Sequence, residues 1–144
     1  MYLDEQKVAA LSNLHEAFIK KILHEGELYY IKNDETLAII DSSLYDGYES
    51  IPFFTTYEQA YKFQQINFED FNVVSISTKK FIENWLVSLL EMELVLALIW
   101  SDDLNGKELA PYDMMVDTVN FIQQKSDHTD INIAEMVKLI NSIK

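Results

Sequence analysis

The run LVLALIW, Leu94 to Trp100, constrains this chain more than any other stretch. A half-buried strand alternates apolar and polar residues, and an amphipathic helix spaces its apolar residues three and four apart. Seven apolar residues in a row do neither. A run of that length suits a central strand covered on both faces, and it is far too short to span a bilayer as a helix. Covering both faces needs material. Hydrophobic residues make up 49% of the 144 positions and aromatic residues 12%, which is ample for one domain over 1–144.

The rest of the chain supplies that cover. Val8, Leu11, Phe18 and Ile22 recur at helical spacing with His15 on the same stripe, so 4–24 reads as a helix that Gly26 ends. ELYYIKN and ETLAIID flank a polar turn and read as a hairpin. SSLYDGYES reads as a loop, and IPFF as a short strand in which Pro52 suits an edge or a strand start. Either Thr55 with Glu58 or Thr56 with Gln59 makes a capping box, with Ala60 and Phe63 facing inward behind it. FNVVSIS is a strand. The helix over 78–92 carries Phe81, Trp85, Leu89 and Met92 on one stripe, widened by Ile82 and Leu86, and Trp85 is expected to pack under the 94–100 strand.

Helices at about 111–125 and 131–143 close the chain, with Pro111 in the first turn of one and Asp130 or Asn132 capping the other, Asn132 boxed with Glu135. Crossover helices between the late strands imply a parallel part of the sheet, and the hairpin an antiparallel part. The expected fold is α+β: a mixed sheet of about five strands with helices packed over it, in the order α-β-β-β-α-β-α-β-α-α.

Charge narrows the function classes. The chain holds 24 acids against 11 bases, for a net charge of −13, and every base is lysine. Without arginine it lacks the residue best shaped for bidentate phosphate or guanine contacts, and its charge repels nucleic acid and anionic membrane. The excess is concentrated. Residues 25–49 hold seven acids and one lysine, and so do residues 91–117. With no cysteine, disulfides and thiolate metal sites are excluded. The N-terminus MYLDEQKVAAL has no apolar core of signal-peptide length, so a cytoplasmic location is expected.

The order of motifs IPFFTTYEQA, STKKFIENWLVSLLEMELVLALIWS and NGKELAP resembles the bacterial domain-of-unknown-function family 2750 over about residues 15–122. Members carry a Leu-Pro-aromatic-Trp-Ser-Ser segment with an alanine downstream, which Pro52, Phe53, Thr55, Thr56 and Ala60 match conservatively. A Phe-x-x-x-Trp-Leu helix is matched by Phe81, Trp85 and Leu86. A strand ending in Asn-Trp-Ser-Gly and a Gly-x-Asp-x-x-Pro step are matched by Trp100, Ser101, Gly106, Glu108 and Pro111. Phe54, Ile99 and Asp102 stand where the family pattern has Trp, Asn and Gly. The resemblance implies this fold in a small cytosolic protein, and no particular reaction.

The chemistry-bearing residues argue against catalysis and metal binding. In SDDLNGKE, residues Ser101, Asp103, Asn105 and Gly106 fall at positions 1, 3, 5 and 6 of a calcium loop, but position 12 falls on Tyr112 where a glutamate is needed. Asp102 and Asp103 are adjacent and diverge in extended chain, a poor acid–base pair. His15 and His24 lie about two and a half turns apart on one helix, and His128 sits in a polar loop, so no local metal set forms. No glycine-rich phosphate loop or nucleophile elbow is present. No enzyme activity, cofactor or metal is therefore expected.

What remains is binding. Trp100, Ser101, Asp102, Asp103, Glu108, Tyr112, Asp113, Tyr45 and Tyr48 combine aromatic anchors with acidic neighbours and form the expected interaction surface. It suits a basic protein partner. A more specific alternative is an immunity-type protein that neutralises a basic toxin, and a second is a small-molecule-binding or enzymatic domain with a pocket near Trp100, Tyr112 and His15.

Overall fold

The computed structural model describes residues 16–42, 47–99, 106–124 and 131–143. Helix α1 occupies 16–25, within the range expected, and the rest of the predicted first helix lies outside the described residues. Gly26 ends it at φ +81°, its N–H donating to the carbonyl of Ile22 at 2.9 Å. A side chain at that φ would be strained, which is why glycine stops the helix. The Thr78 hydroxyl donates to the same Ile22 carbonyl at 2.5 Å, tying the end of α1 to the start of a later helix.

Among the described residues, six strands form one mixed sheet: β1 (Glu27–Lys32), β2 (Ile40–Asp41), β3 (Glu49–Phe54), β4 (Asn72–Ser77), β5 (Val95–Ile99) and β6 (Gly106–Leu109). Their spatial order is β4-β1-β3-β5-β6, with β2 also beside β3. The β3–β5 pair is parallel, with Ser50 opposite Val95 and Phe54 opposite Ile99; the other pairs are antiparallel. β5 is thus interior, and all five of its residues are buried, as the unbroken apolar run requires.

Four differences from the sequence reading have local causes. First, β6 makes a sixth strand where a turn and a helix approach were expected. Next, the predicted hairpin begins but does not continue. Asn33 Oδ1 accepts from the N–H groups of Glu35 and Thr36, Lys32 pairs with Leu37, and the chain then crosses to pair Ile40 and Asp41 with Ser50 and Glu49. Third, Pro52 lies in an interior strand and is buried. On the edge away from β5, β3 pairs with β2 at Ser50 and with β1 at Phe54, and Pro52 falls in the gap between them, where no ladder N–H is needed. The fourth concerns Trp85. It is half-buried and packs on Tyr30 and Phe53, at ring-centroid distances of 4.7 and 6.1 Å, so it lies under β1 and β3.

Both faces are covered. Alternate positions Leu28, Ile51, Phe53, Leu96, Leu98 and Leu109 join one buried cluster with α1, with the helix over 78–91 (α3), and with helices α4 (Pro111–Gln124) and α5 (Ala134–Ile143). The intervening positions Ile31, Phe54 and Ile99 pack with Ala60 of helix α2 (Tyr57–Asn67) on the opposite face. Each fully buried leucine or phenylalanine contributes about 1.5–3 kcal/mol through removal from water.

Helix α3 runs through an α-turn (Thr78–Lys80), a π-turn (Phe81–Trp85) and a further α-helical piece (Leu86–Glu91). The Leu86 N–H reaches back to the Phe81 carbonyl, and the extra residue in that ring turns Phe81, Ile82 and Leu86 together into the core. At the start of α2 the structure selects Thr56 as N-cap, accepting from the Gln59 N–H at 3.2 Å. The Gln59 side chain does not return to the cap; its Oε1 accepts from the buried Thr55 hydroxyl at 2.9 Å. Asn132 Oδ1 accepts from the Ala134 N–H at the start of α5, while Glu83 Oε2 accepts from the Asn132 N–H and fastens α5 to α3. The ion pair with Lys79, and then the Asn132 N–H, hold the Glu83 carboxyl below its ordinary pKa.

Candidate interaction surface

Of the expected surface residues, Glu108, Tyr112, Asp113 and Tyr48 are described; Trp100, Ser101, Asp102, Asp103 and Tyr45 lie outside the described residues, as does His15. Most of the calcium-like loop lies outside them too, and description resumes at Gly106. Glu108 is on β6 opposite Ala97. Its Oε2 accepts from the Ser42 hydroxyl at 2.5 Å. Ser42 comes directly after β2, and its N–H donates to the Tyr48 carbonyl. This contact joins the two acid-rich segments, 25–49 and 91–117.

The sheet distributes their carboxylates to two ends. Asp41 sits opposite Glu49 at the start of β3, and the Ser50–Val95 register brings Glu93, two residues before β5, to that same end. Glu25 and Glu27 lie at the far end, where β1 starts and β3 finishes, and meet Glu58 of α2 there.

Tyr112 and Asp113 open α4 and line a groove of about 660 Å³ between α4 and α5. Asp117, Asn120, Gln123 and Asn141 add polar groups, and Val116, Val137 and Ile140 form an apolar floor. A second, apolar cleft of about 320 Å³ lies over the π-turn, with Leu37, Trp85, Leu89 and Met92 on its walls.

The far end of the sheet carries a third feature that the sequence reading did not single out. A polar pocket of about 230 Å³ is lined by Lys21, Glu25, Glu27, Tyr29, Thr56, Tyr57 and Glu58, among others. The Tyr29 hydroxyl donates to Glu27 at 2.6 Å; this bond, then partial burial and the nearby carboxylates, push its pKa up to about 12. Tyr57 meets Tyr29 edge-on at 6.2 Å and stacks on Tyr61 at 6.0 Å. The signal for this ledge was the i, i+4 pair of tyrosines, Tyr57 and Tyr61, on the exposed side of α2.

Among the described residues, no group of three or more His, Asp or Glu side chains is placed to hold a metal ion. No helix among them is long and apolar enough to cross a membrane. No curated protein is similar enough to the chain to count as a match. A family profile described as "Protein of unknown function (DUF2750)" matches residues 15–117. That span contains the Pro52–Ala60 segment, the π-turn with Trp85 and Leu86, and the step from Trp100 to Pro111, and it ends within α4. On this match, covering well over half its length, the chain belongs to the DUF2750 family.

Proposed function

We propose that this protein is a non-catalytic interaction module whose acidic surface engages a basic protein partner. The Ser42–Glu108 hydrogen bond carries the reading, because it brings the two segments that hold most of the excess negative charge into contact. Asp41, Glu49 and Glu93 at one end of the sheet strengthen it. Such a field raises the rate of encounter with a basic partner and falls with added salt. An immunity-type protein that neutralises a basic toxin is a special case of the same reading.

The test is affinity capture from the native host at low and moderate salt. The bait is the wild type or a variant with Glu49→Lys, Glu91→Lys and Glu93→Lys, all three on exposed residues. A partner captured by the wild type at low salt, and lost both in the variant and on adding salt, supports the reading. Identical partners for both baits overturn it.

The α4–α5 groove supports a second reading, a site for a small polar ligand. Its volume lies in the usual range for such sites, and Tyr112, Asp113, Asp117, Asn120 and Asn141 supply converging polar groups. A thermal-shift screen of small amines, amides and polyols tests it: a rise in melting temperature that Asn120→Leu abolishes supports ligand binding, and a flat response across the screen argues against it.

A further inference from the structure

Among the described residues, few large apolar side chains stand out in solvent. Two of those that do, Tyr57 and Tyr61, are one helical turn apart on α2 with rings nearly parallel, at 19°. Both are about half exposed, and Tyr29 holds Tyr57 from the side. A stacked pair of tyrosines left in water is an interface feature, because tyrosine offers a large, stiff contact area at little entropic cost. The adjoining pocket has room for one side chain. Its charges are the carboxylates of Glu25, Glu27 and Glu58 against the single ammonium of Lys21, which is already paired with Glu25 at 3.4 Å. Glu27 accepts from Tyr29, which holds the neutral phenol in place as part of the wall.

We infer that the Tyr57–Tyr61 ledge and its pocket dock an arginine side chain from a basic segment of the protein partner. A planar guanidinium stacks on the exposed tyrosine face and presents forked donors to the carboxylates beside it, which an ammonium does less well. This inference rests on the interaction reading above and names where the partner's basic segment sits. It places the docking point at the end of the sheet that carries Glu25, Glu27 and Glu58, whose carboxylates add to the acidic surface of that reading.

The test uses a short fluorescein-labelled Gly-Ser peptide bearing arginines, and the same peptide with each arginine replaced by uncharged citrulline, with binding to the full chain read by fluorescence anisotropy. The arginine peptide binds the wild type more tightly than the citrulline peptide does. Tyr57→Ala and Glu58→Gln each weaken it about two- to fivefold, as expected for exposed cation–π and ionic contacts. Tyr57→Phe keeps the ring and stays near wild type. Unchanged melting temperatures confirm that the variants are folded. Equal binding of the citrulline peptide, or wild-type affinity in the Tyr57→Ala, Glu58→Gln double variant, overturns the inference. Because the peptide experiment needs no native partner, that result leaves the capture experiment to decide the interaction reading separately.

Discussion

The Ser42 hydroxyl and the Glu108 carboxylate, 66 positions apart in sequence, are joined by a hydrogen bond of 2.5 Å. Ser42 leaves β2 on one side of β3, while Glu108 belongs to β6 on the far side of β5. The bond therefore spans two intervening strands and fixes the chain after β2 against the sheet.

A hydrogen bond to a charged group contributes about 1.5–3 kcal/mol when its geometry is good. Ser42→Ala is expected to lower the unfolding free energy by about 1–2 kcal/mol, since the pair is only partly buried. Urea denaturation checks this, with the midpoint falling and the slope unchanged.

Trp85 joins the π-turn to the aromatic cluster of Tyr30, Phe53 and Phe81. Trp85→Ala is expected to cost about 3 kcal/mol, the low end for a large aromatic, because one edge of the ring faces the open cleft. Trp85→Phe should recover about half of that loss. Thermal or chemical denaturation of the two variants measures the difference.

Gly106 opens β6 opposite Ile99 with no room for a side chain: an added Cβ would lie 2.5 Å from the Leu98 carbonyl oxygen. That neighbour is backbone and cannot rotate away. Gly106→Ala is expected to destabilise by about 1–3 kcal/mol by prising β6 from β5. Hydrogen exchange should show the loss concentrated in the β5–β6 pair.

Tyr29 gives a pH signature. Its pKa is pushed up to about 12, mainly by donation to Glu27. The neutral phenol is favoured by the fold, so this contribution to stability is complete below about pH 10, the unfolded value, and is lost as the pH rises through about 12. Burial also raises the Tyr30 phenol, so ultraviolet titration should show a late tyrosine component that shrinks in Tyr29→Phe and moves to lower pH in Glu27→Gln.

The parts of this fold that a linear reading recovered are those where local pattern and tertiary demand agree. LVLALI is apolar at every position and is buried at every described position. Gly26 stops α1 through a bond four residues back, and spacing narrowed the α2 cap to Thr55 or Thr56, between which the fold chooses Thr56. The failures come from long-range pairing. GKEL has the composition of a turn approach and becomes β6 only because β5 offers it an edge. Pro52 breaks a ladder locally, yet sits inside the sheet because two different partners share that edge of β3.

The surface shows the same division. Tyr112 and Asp113 were recognisable as a polar aromatic helix start, and they do line the α4–α5 groove. Asn141, on the groove's other wall, was invisible because nothing local ties α5 to α4. The tyrosine ledge depends on β1 and α2 meeting at one end of the sheet, which no window around Tyr57 contains.

The most direct test of the central claim is the association rate between this protein and a purified captured partner, measured against salt by stopped flow. Electrostatic steering by the Asp41, Glu49 and Glu93 end predicts a fall of about tenfold or more between low and moderate salt for the wild type. The Glu49→Lys, Glu91→Lys, Glu93→Lys variant should start slower and change little. Equal rates and equal salt slopes for the two proteins would contradict the account, leaving the acidic surface as a solvated one with no part in recognition.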